Sequence, residues 1–129
     1  MDKQKLIFLV DDDAIINLLV MKRFASEGLL LESFRYGEDC LKEIHRDPDL
    51  IILDYYFVSD NQEVMNGMEV FNKIKELKPH TPVIILSGQE KGEVVLELAR
   101  KGIDAYVIKD NYLIENLFAS MREIFGRDN

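Results

Sequence analysis

Short runs of β-type residues alternate with amphipathic stretches along the chain. The amphipathic stretches repeat apolar residues every three or four positions, which is typical of helices. This alternation predicts an α/β fold in which helices cover both faces of a parallel sheet. The predicted strands lie at 6–10, 29–34, 50–53, 83–86 and 104–108, and the predicted helices at 14–27, 37–45, 67–77, 90–101 and 112–125.

Five strand–helix units predict a doubly wound, flavodoxin-like, five-stranded parallel sheet with the strand order 2-1-3-4-5, flanked by five helices. The 129 residues suffice for one domain, 1–129, with a substantial core. The polar connection 55–66 is long. Two interpretations of it stay open: an insertion tolerated at the surface, or a lid beside a site.

Two predicted helices carry more apolar residues than one inward stripe needs. In the first helix the predicted core stripe is Ile16, Leu19, Val20 and Phe24, which leaves Ile15, Leu18 and Met21 as scattered surface residues or a docking surface. In the last helix, Phe118 and Ile124 exceed the stripe and are candidates for an output or dimer surface.

Polar residues follow four of the apolar runs, at the points where the predicted strands end. Asp11 and Asp12 follow the first strand, Asp54 the third, Ser87 the fourth and Lys109 the fifth. Because parallel strands end at the same edge of a sheet, and open α/β sheets place their sites there, these side chains are predicted to form one site.

Three carboxylates and one ammonium would leave this site strongly negative. Two carboxylates 5 Å apart repel by roughly 3 kcal/mol at an effective dielectric of about 20. A divalent cation would compensate, and Mg²⁺ is the oxygen-preferring candidate. A cation beside a lysine and a hydroxyl suits phosphoryl transfer, with Asp54 as the nucleophile and the pair Asp11–Asp12 as metal ligands. Asp13 is equally well explained as a helix cap.

Composition narrows the classes of protein. The net charge of −8 argues against direct binding to nucleic acid. The single Cys40 and the absence of a long apolar segment favour a cytoplasmic protein that does not enter a membrane.

The motifs around these residues closely resemble the receiver domain of two-component response regulators, of the single-domain type, over nearly the whole chain. The matching segments are Phe8-Leu9-Val10-Asp11-Asp12-Asp13, Ile51-Ile52-Leu53-Asp54, Met65-Asn66-Gly67, Val83-Ile84-Ile85-Leu86-Ser87-Gly88 and Ala105-Tyr106-Val107-Ile108-Lys109.

The resemblance implies that Asp54 accepts a phosphoryl group from the phosphohistidine of a sensor histidine kinase or a histidine phosphotransfer protein. It implies Mg²⁺ bound directly by Asp12 and Asp54, through water by Asp11, and by the main-chain carbonyl of Tyr56. Such a protein is a phosphorylation switch that promotes its own phosphoryl transfer and dephosphorylation, rather than an enzyme acting on a free substrate.

The resemblance also assigns the switch. Ser87 would bond the phosphoryl group, Lys109 would pair with it, and Tyr106 would change its burial accordingly. An unknown downstream protein would then bind the face formed by helix 4, strand 5 and helix 5. Asp110 stands where many receivers have proline, so we expect a trans peptide bond after Lys109.

Three alternatives remain at this point. An aspartate-nucleophile phosphatase of the haloacid dehalogenase type would use the Asp11–Asp13 pair, but it leaves Asp54 unexplained. A flavodoxin-like cofactor binder conflicts with the acidic edge, which would repel a cofactor phosphate. A degenerate receiver would bind proteins without being phosphorylated.

Overall fold

The computed structural model describes residues 4–55, 65–88 and 92–127. Its strands are β1 (Leu6–Val10), β2 (Leu30–Phe34), β3 (Leu50–Asp54), β4 (Val83–Ser87) and β5 (Ala105–Ile108). Its helices are α1 (Ala14–Ser26), α2 (Gly37–Lys42), α3 (Gly67–Leu77), α4 (Gly92–Arg100) and α5 (Leu113–Gly126), with one 3₁₀ turn at Ile44–Arg46. None of the described helices is long and apolar enough to span a membrane.

All five strands are parallel and lie in the order β2-β1-β3-β4-β5, which confirms the predicted topology. The three central strands are continuous apolar runs because both of their faces are covered. Every residue of β3 and β4 is buried. The predicted helix 37–45 is instead a short helix followed by the 3₁₀ turn.

The core has two layers, one on each face of the sheet, because successive strand residues point to opposite faces. One layer lies between the sheet and helices α1 and α5, and it contains Leu9, Ile52 and Val107. The other lies under α2, α3 and α4, and it contains Val10, Leu53 and Ile85. This alternation decides which residues share a face at the carboxyl edge.

Helices α1 and α5 also pack against each other. The rings of Phe24 and Phe118 meet edge to face, with centroids 4.9 Å apart. Phe118 and Ile124 are therefore buried and not part of an output or dimer surface. The prediction that Leu19 belongs to the core is wrong, because its side chain is 50% exposed on the outer side of α1.

Candidate functional site

The strand register brings the predicted site residues to one edge of the sheet. Val10 pairs with Leu53, so the next residues, Asp11 and Asp54, leave their strands side by side. At the other side of β4, the Lys109 amide donates to the Ser87 carbonyl at 2.8 Å. The polar positions at four strand ends thus converge at one edge.

Asp11, Asp54 and Lys109 also lie on the same face of the sheet, because side chains alternate between its two faces along each strand. Asp11 continues the series of Ile7 and Leu9, and Asp54 continues that of Leu50 and Ile52, all of which face α1 and α5. Lys109 follows Ala105 and Val107, which face the same way. The side chains of the three residues meet because strand pairing and side-chain period agree.

Three aspartates form an acidic cluster. One carboxylate oxygen from each of Asp11, Asp12 and Asp54 lies within 4.8 Å of the others. Asp11 and Asp54 are buried, whereas Asp12 is exposed. Solvent therefore reaches the cluster on the Asp12 side.

Lys109 holds the two buried carboxylates together. Its Nζ lies 3.0 Å from Oδ2 of Asp11 and 3.0 Å from Oδ2 of Asp54. Burial by itself lowers the pKa of the lysine, but the charges and hydrogen bonds of Asp54 and Asp11 outweigh it, so the pKa lies above the ordinary value of 10.5. Lys109 therefore stays a cation through the physiological pH range.

The turn from β1 to α1 fixes the direction of the Asp11 side chain. Oδ1 of Asp11 accepts the Asp13 amide at 2.8 Å, and Oδ1 of Asp13 caps α1 by accepting the amides of Ile15 and Ile16. Asp13 is thus a helix cap. The Nδ2 of Asn17 donates to the Asp11 carbonyl at 2.9 Å.

Sequence analysis did not single out Asn17. The signal was present, because an amide at this position lies next to the inward residues Ile16 and Val20 of α1. A polar side chain beside a core stripe usually has a specific hydrogen-bond partner.

The segment after Asp54 is anchored at both of its described ends. A Cβ on Gly67 would overlap the carbonyl oxygen of Tyr55, so this close approach requires glycine. Glu38 of α2 accepts the Met65 amide at 3.0 Å, and Asn66 forms a capping box with Glu69. Positions 56–64, including the Tyr56 carbonyl predicted as a metal ligand, lie outside the described residues.

Ser87 and Tyr106 lie on neighbouring strands. Ser87 is buried at the end of β4, and Tyr106 pairs with Ile85 and packs half-buried against the layer under α2, α3 and α4. The bond between Lys109 and Asp110 is trans, as expected. Oδ1 of Asp110 accepts the Tyr112 amide, and α5 begins without a side-chain cap.

The residues present fit a divalent cation such as Mg²⁺. The donors are carboxylate oxygens, which Mg²⁺ prefers, and they are close enough to share one ion. Oδ2 of Asp11 is buried, and the contact it makes within the described part of the chain is the 3.0 Å ion pair with Lys109. Asp11, Asp12 and Asp54 are the residues that would hold the ion.

The fold is that of a doubly wound α/β protein, and the acidic cluster lies at its topological switch point, between β1 and β3. Such a cluster beside a lysine is suited to phosphoryl transfer. A family model described as "Response regulator receiver domain" matches residues 7–121. The chain therefore belongs to the family of response regulator receiver domains, whose members are phosphoacceptor switches and bind Mg²⁺ in an acidic pocket. The phosphatase and the degenerate-receiver alternatives are not favoured.

Relatives and solved structures agree with this assignment. The chain is 27% identical to the DNA-binding transcriptional regulator NtrC of Proteus hauseri over 119 residues, which cover 92% of this chain and 24% of that protein. It is 32% identical to the autoinducer 1 sensor kinase/phosphatase LuxN of Vibrio campbellii over 108 residues, which cover 83% of this chain and 12% of that protein. The chain thus spans a quarter or less of the length of these curated relatives.

Two solved receiver domains superpose closely on the chain. The BeF₃-activated receiver domain of DrrB from Thermotoga maritima has a TM-score of 0.81 and is 28% identical, covering 96% of this chain and 99% of that one. A CheY-like receiver domain from Methanospirillum hungatei has a TM-score of 0.83 at 24% identity, covering 98% of each chain. The second likeness supports the fold alone.

Proposed function

We propose that Asp54 is the phosphoacceptor and takes a phosphoryl group from a phosphohistidine of a sensor histidine kinase or a histidine phosphotransfer protein. The observation that carries this proposal is the position of its carboxylate. Asp54 is 1% exposed, lies 3.0 Å from the Lys109 ammonium, and shares a cluster with two further carboxylates. Asp11 and Asp12 are adjacent and suited to holding a metal ion together, whereas Asp54 is a single acid at the end of β3, which favours Asp54 as the nucleophile.

In the proposed reaction, an oxygen of Asp54 attacks phosphorus. The new P–O bond gives an acyl phosphate, and the P–N bond breaks with its electron pair passing to the imidazole of the donor. A bound Mg²⁺ would supply charge neutralisation for the phosphoryl oxygens. Lys109 keeps a fixed positive charge beside the transferred group, and the Ser87 hydroxyl donates a hydrogen bond to it.

The proposed output uses Ser87 and Tyr106. Movement of Ser87 towards the phosphoryl group would change the packing of Tyr106 on β5 and so bias the surface of α4, β5 and α5 between two states. That surface presents Leu96, Ile108 and Tyr112 as exposed apolar side chains. We propose it as the binding surface of the downstream protein.

For the phosphodonor we propose docking on α1. Ile15, Leu18 and Met21 are 70%, 56% and 43% exposed, and together with Leu19 they form an apolar surface that begins directly after the acidic cluster. An exposed apolar surface next to a pocket is typical of a protein-binding surface.

Intact-mass measurement after incubation with a small phosphodonor and Mg²⁺ tests the proposal. Wild type should gain one phosphoryl group, and Asp54→Asn should gain none. Asp13→Asn is the matched control, because asparagine also caps helices and Asp13 lies outside the cluster; it should be labelled like wild type. Labelling of Asp54→Asn would show that the acceptor is elsewhere, and no labelling of wild type, with a competent donor, would overturn the proposed function.

A further inference from the structure

We infer that Asn17 is a positioning residue of the acidic pocket: its side-chain amide holds the Asp11 carbonyl, and through it the turn that presents Asp11 and Asp12 to a divalent cation. This inference rests on the proposed function, because it concerns the proposed metal site. Asn17 does not itself ligate the ion.

Four contacts surround Asp11. Its amide donates to the Phe34 carbonyl at 3.0 Å, and its Oδ1 accepts the Asp13 amide at 2.8 Å. Its Oδ2 pairs with Lys109 at 3.0 Å, and its carbonyl accepts the Asn17 amide at 2.9 Å. Two of these bonds come from backbone amides and one from the charge-bearing lysine. The hydrogen bond from Asn17 is the one of these contacts that a substitution can remove without changing the charge of the site.

The turn after β1 must redirect the chain. In an extended strand, successive side chains point to opposite faces. Asp11 and Asp12 are adjacent, yet their carboxylates lie within 4.8 Å of each other. The backbone therefore leaves the strand conformation directly after Asp11. The Asn17 side chain of α1 donates to the Asp11 carbonyl and so holds the backbone in this turn.

Asn17 is itself well fixed. Its own amide donates to the Asp13 carbonyl at 3.0 Å as part of α1, and its side chain is partly buried. Its Oδ1 is buried and has no protein donor within the described residues. Within the described residues, the bond to the Asp11 carbonyl is thus the one protein hydrogen bond of the Asn17 side chain. The effect of removing the side-chain amide can therefore be assigned to the loss of this bond.

If the turn is loose, binding of Mg²⁺ must also order the carboxylates of Asp11 and Asp12. The conformational entropy lost in that ordering lowers the affinity for the ion. A loose turn should have a smaller effect on the transfer step once the ion is bound, since the Asn17 side chain bonds the main-chain carbonyl of Asp11, whereas Lys109 pairs with the Asp54 carboxylate. The expected signature is a change in Mg²⁺ affinity with a largely unchanged rate at saturating Mg²⁺.

The test compares Asn17→Ala with Asn72→Ala and Ile44→Val. Asn72 is an exposed residue of α3 far from the pocket along the chain, so it controls for the same chemical change in a helix. Ile44 is buried at the 3₁₀ turn, so it controls for a loss of stability without a change at the site. Mg²⁺ affinity is measured calorimetrically well below the unfolding temperature, and the labelling rate with a small phosphodonor is measured as a function of Mg²⁺.

We expect Asn17→Ala to weaken Mg²⁺ binding by about 3- to 10-fold, the effect of one hydrogen bond, with less than a twofold change in the saturated labelling rate. Both controls should bind Mg²⁺ within twofold of wild type. Asn17→Ser, which keeps a shorter donor, replaces Asn17→Ala if far-UV circular dichroism shows that the latter does not fold.

Two outcomes overturn the inference and are distinguishable. If wild type binds Mg²⁺ and Asn17→Ala binds it equally well, or no worse than Ile44→Val, Asn17 is only structural. If wild type itself binds no Mg²⁺, the proposed metal site fails and the inference fails with it.

Discussion

Replacing Asp54 by asparagine should stabilise the protein when divalent cations are absent. The carboxylate of Asp54 is 1% exposed and lies in a cluster with two other carboxylates, with Lys109 as the facing cation. Asparagine keeps the shape of the side chain and removes its charge. The change therefore isolates the electrostatic contribution of the group to folding.

The magnitude follows from the distances. At an effective dielectric of about 20, a lysine 3.0 Å away attracts the carboxylate by roughly 5–6 kcal/mol, and a carboxylate within 4.8 Å repels it by at least roughly 3–4 kcal/mol. Asp12 adds a smaller repulsion because it is exposed and screened by water. These contributions nearly cancel, and the cost of removing a carboxylate from water, several kcal/mol, decides the sign. Lys109 retains Asp11 as a partner in the variant.

We expect Asp54→Asn to be more stable than wild type by about 1–2 kcal/mol in EDTA, which raises the unfolding temperature by about 3–10 °C. Calorimetric unfolding measures this difference. The matched control is Glu97→Gln, which removes one negative charge at an exposed position of α4 and should change stability by less than about 0.5 kcal/mol.

Mg²⁺ should reduce this difference in stability. At ten times its dissociation constant the ion stabilises wild type by about 1.4 kcal/mol, whereas the variant has lost a ligand and gains less. The reasoning is refuted if Asp54→Asn unfolds below Glu97→Gln in EDTA, because burial of the carboxylate would then be compensated within the protein.

Three further predictions follow from other residues. Gly67→Ala should lose about 2–3 kcal/mol in urea unfolding, because its methyl group meets the Tyr55 backbone, whereas Gly92→Ala, with open space around it, should lose nothing. The pKa of Lys109 is raised on folding, so the contribution of its charge to stability is complete below about pH 10 and is lost as the pH rises through the folded-state pKa. In thermal unfolding between pH 8 and 11.5, the stability difference between wild type and Lys109→Met should therefore stay constant at first and then shrink. Burial raises the pKa of the Cys40 thiol to about 12, so a disulfide reagent at pH 8 should modify it only after unfolding in urea, and rapid modification of native protein would contradict this.

The strands and their order were predictable because each central strand is covered on both faces and so appears as an uninterrupted apolar run. The same property made the site predictable. When a buried run such as Ile51–Leu53 ends in a single Asp54, the acid stands at the sheet edge, and the register then brings it beside Asp11.

The burial of individual helix residues was less predictable. Leu19 and Phe118 are both large apolar residues near the edge of a helical stripe, yet Leu19 faces outwards and Phe118 packs on Phe24. The difference arises from the contact between α1 and α5, which are far apart along the chain. A hydrophobic pattern within one helix does not contain that contact.

Asn17 was missed for a related reason. Its role depends on a hydrogen bond to the main-chain carbonyl of Asp11. Every residue has such a carbonyl, so the sequence does not indicate which one accepts a bond. Asp13 was easier to interpret, because a capping residue lies next to the helix that it caps.

The contacts of Tyr55, Gly67 and Glu38 make the protein a convenient scaffold for engineering. The close approach of Gly67 to the Tyr55 backbone and the hydrogen bond from the Met65 amide to Glu38 lie at the two ends of the connection after Asp54. The closure cost of a loop rises by only about 0.6 kcal/mol for each doubling of its length. A peptide tag inserted between these two ends should therefore cost little stability, because the contacts that anchor the ends lie outside the insertion.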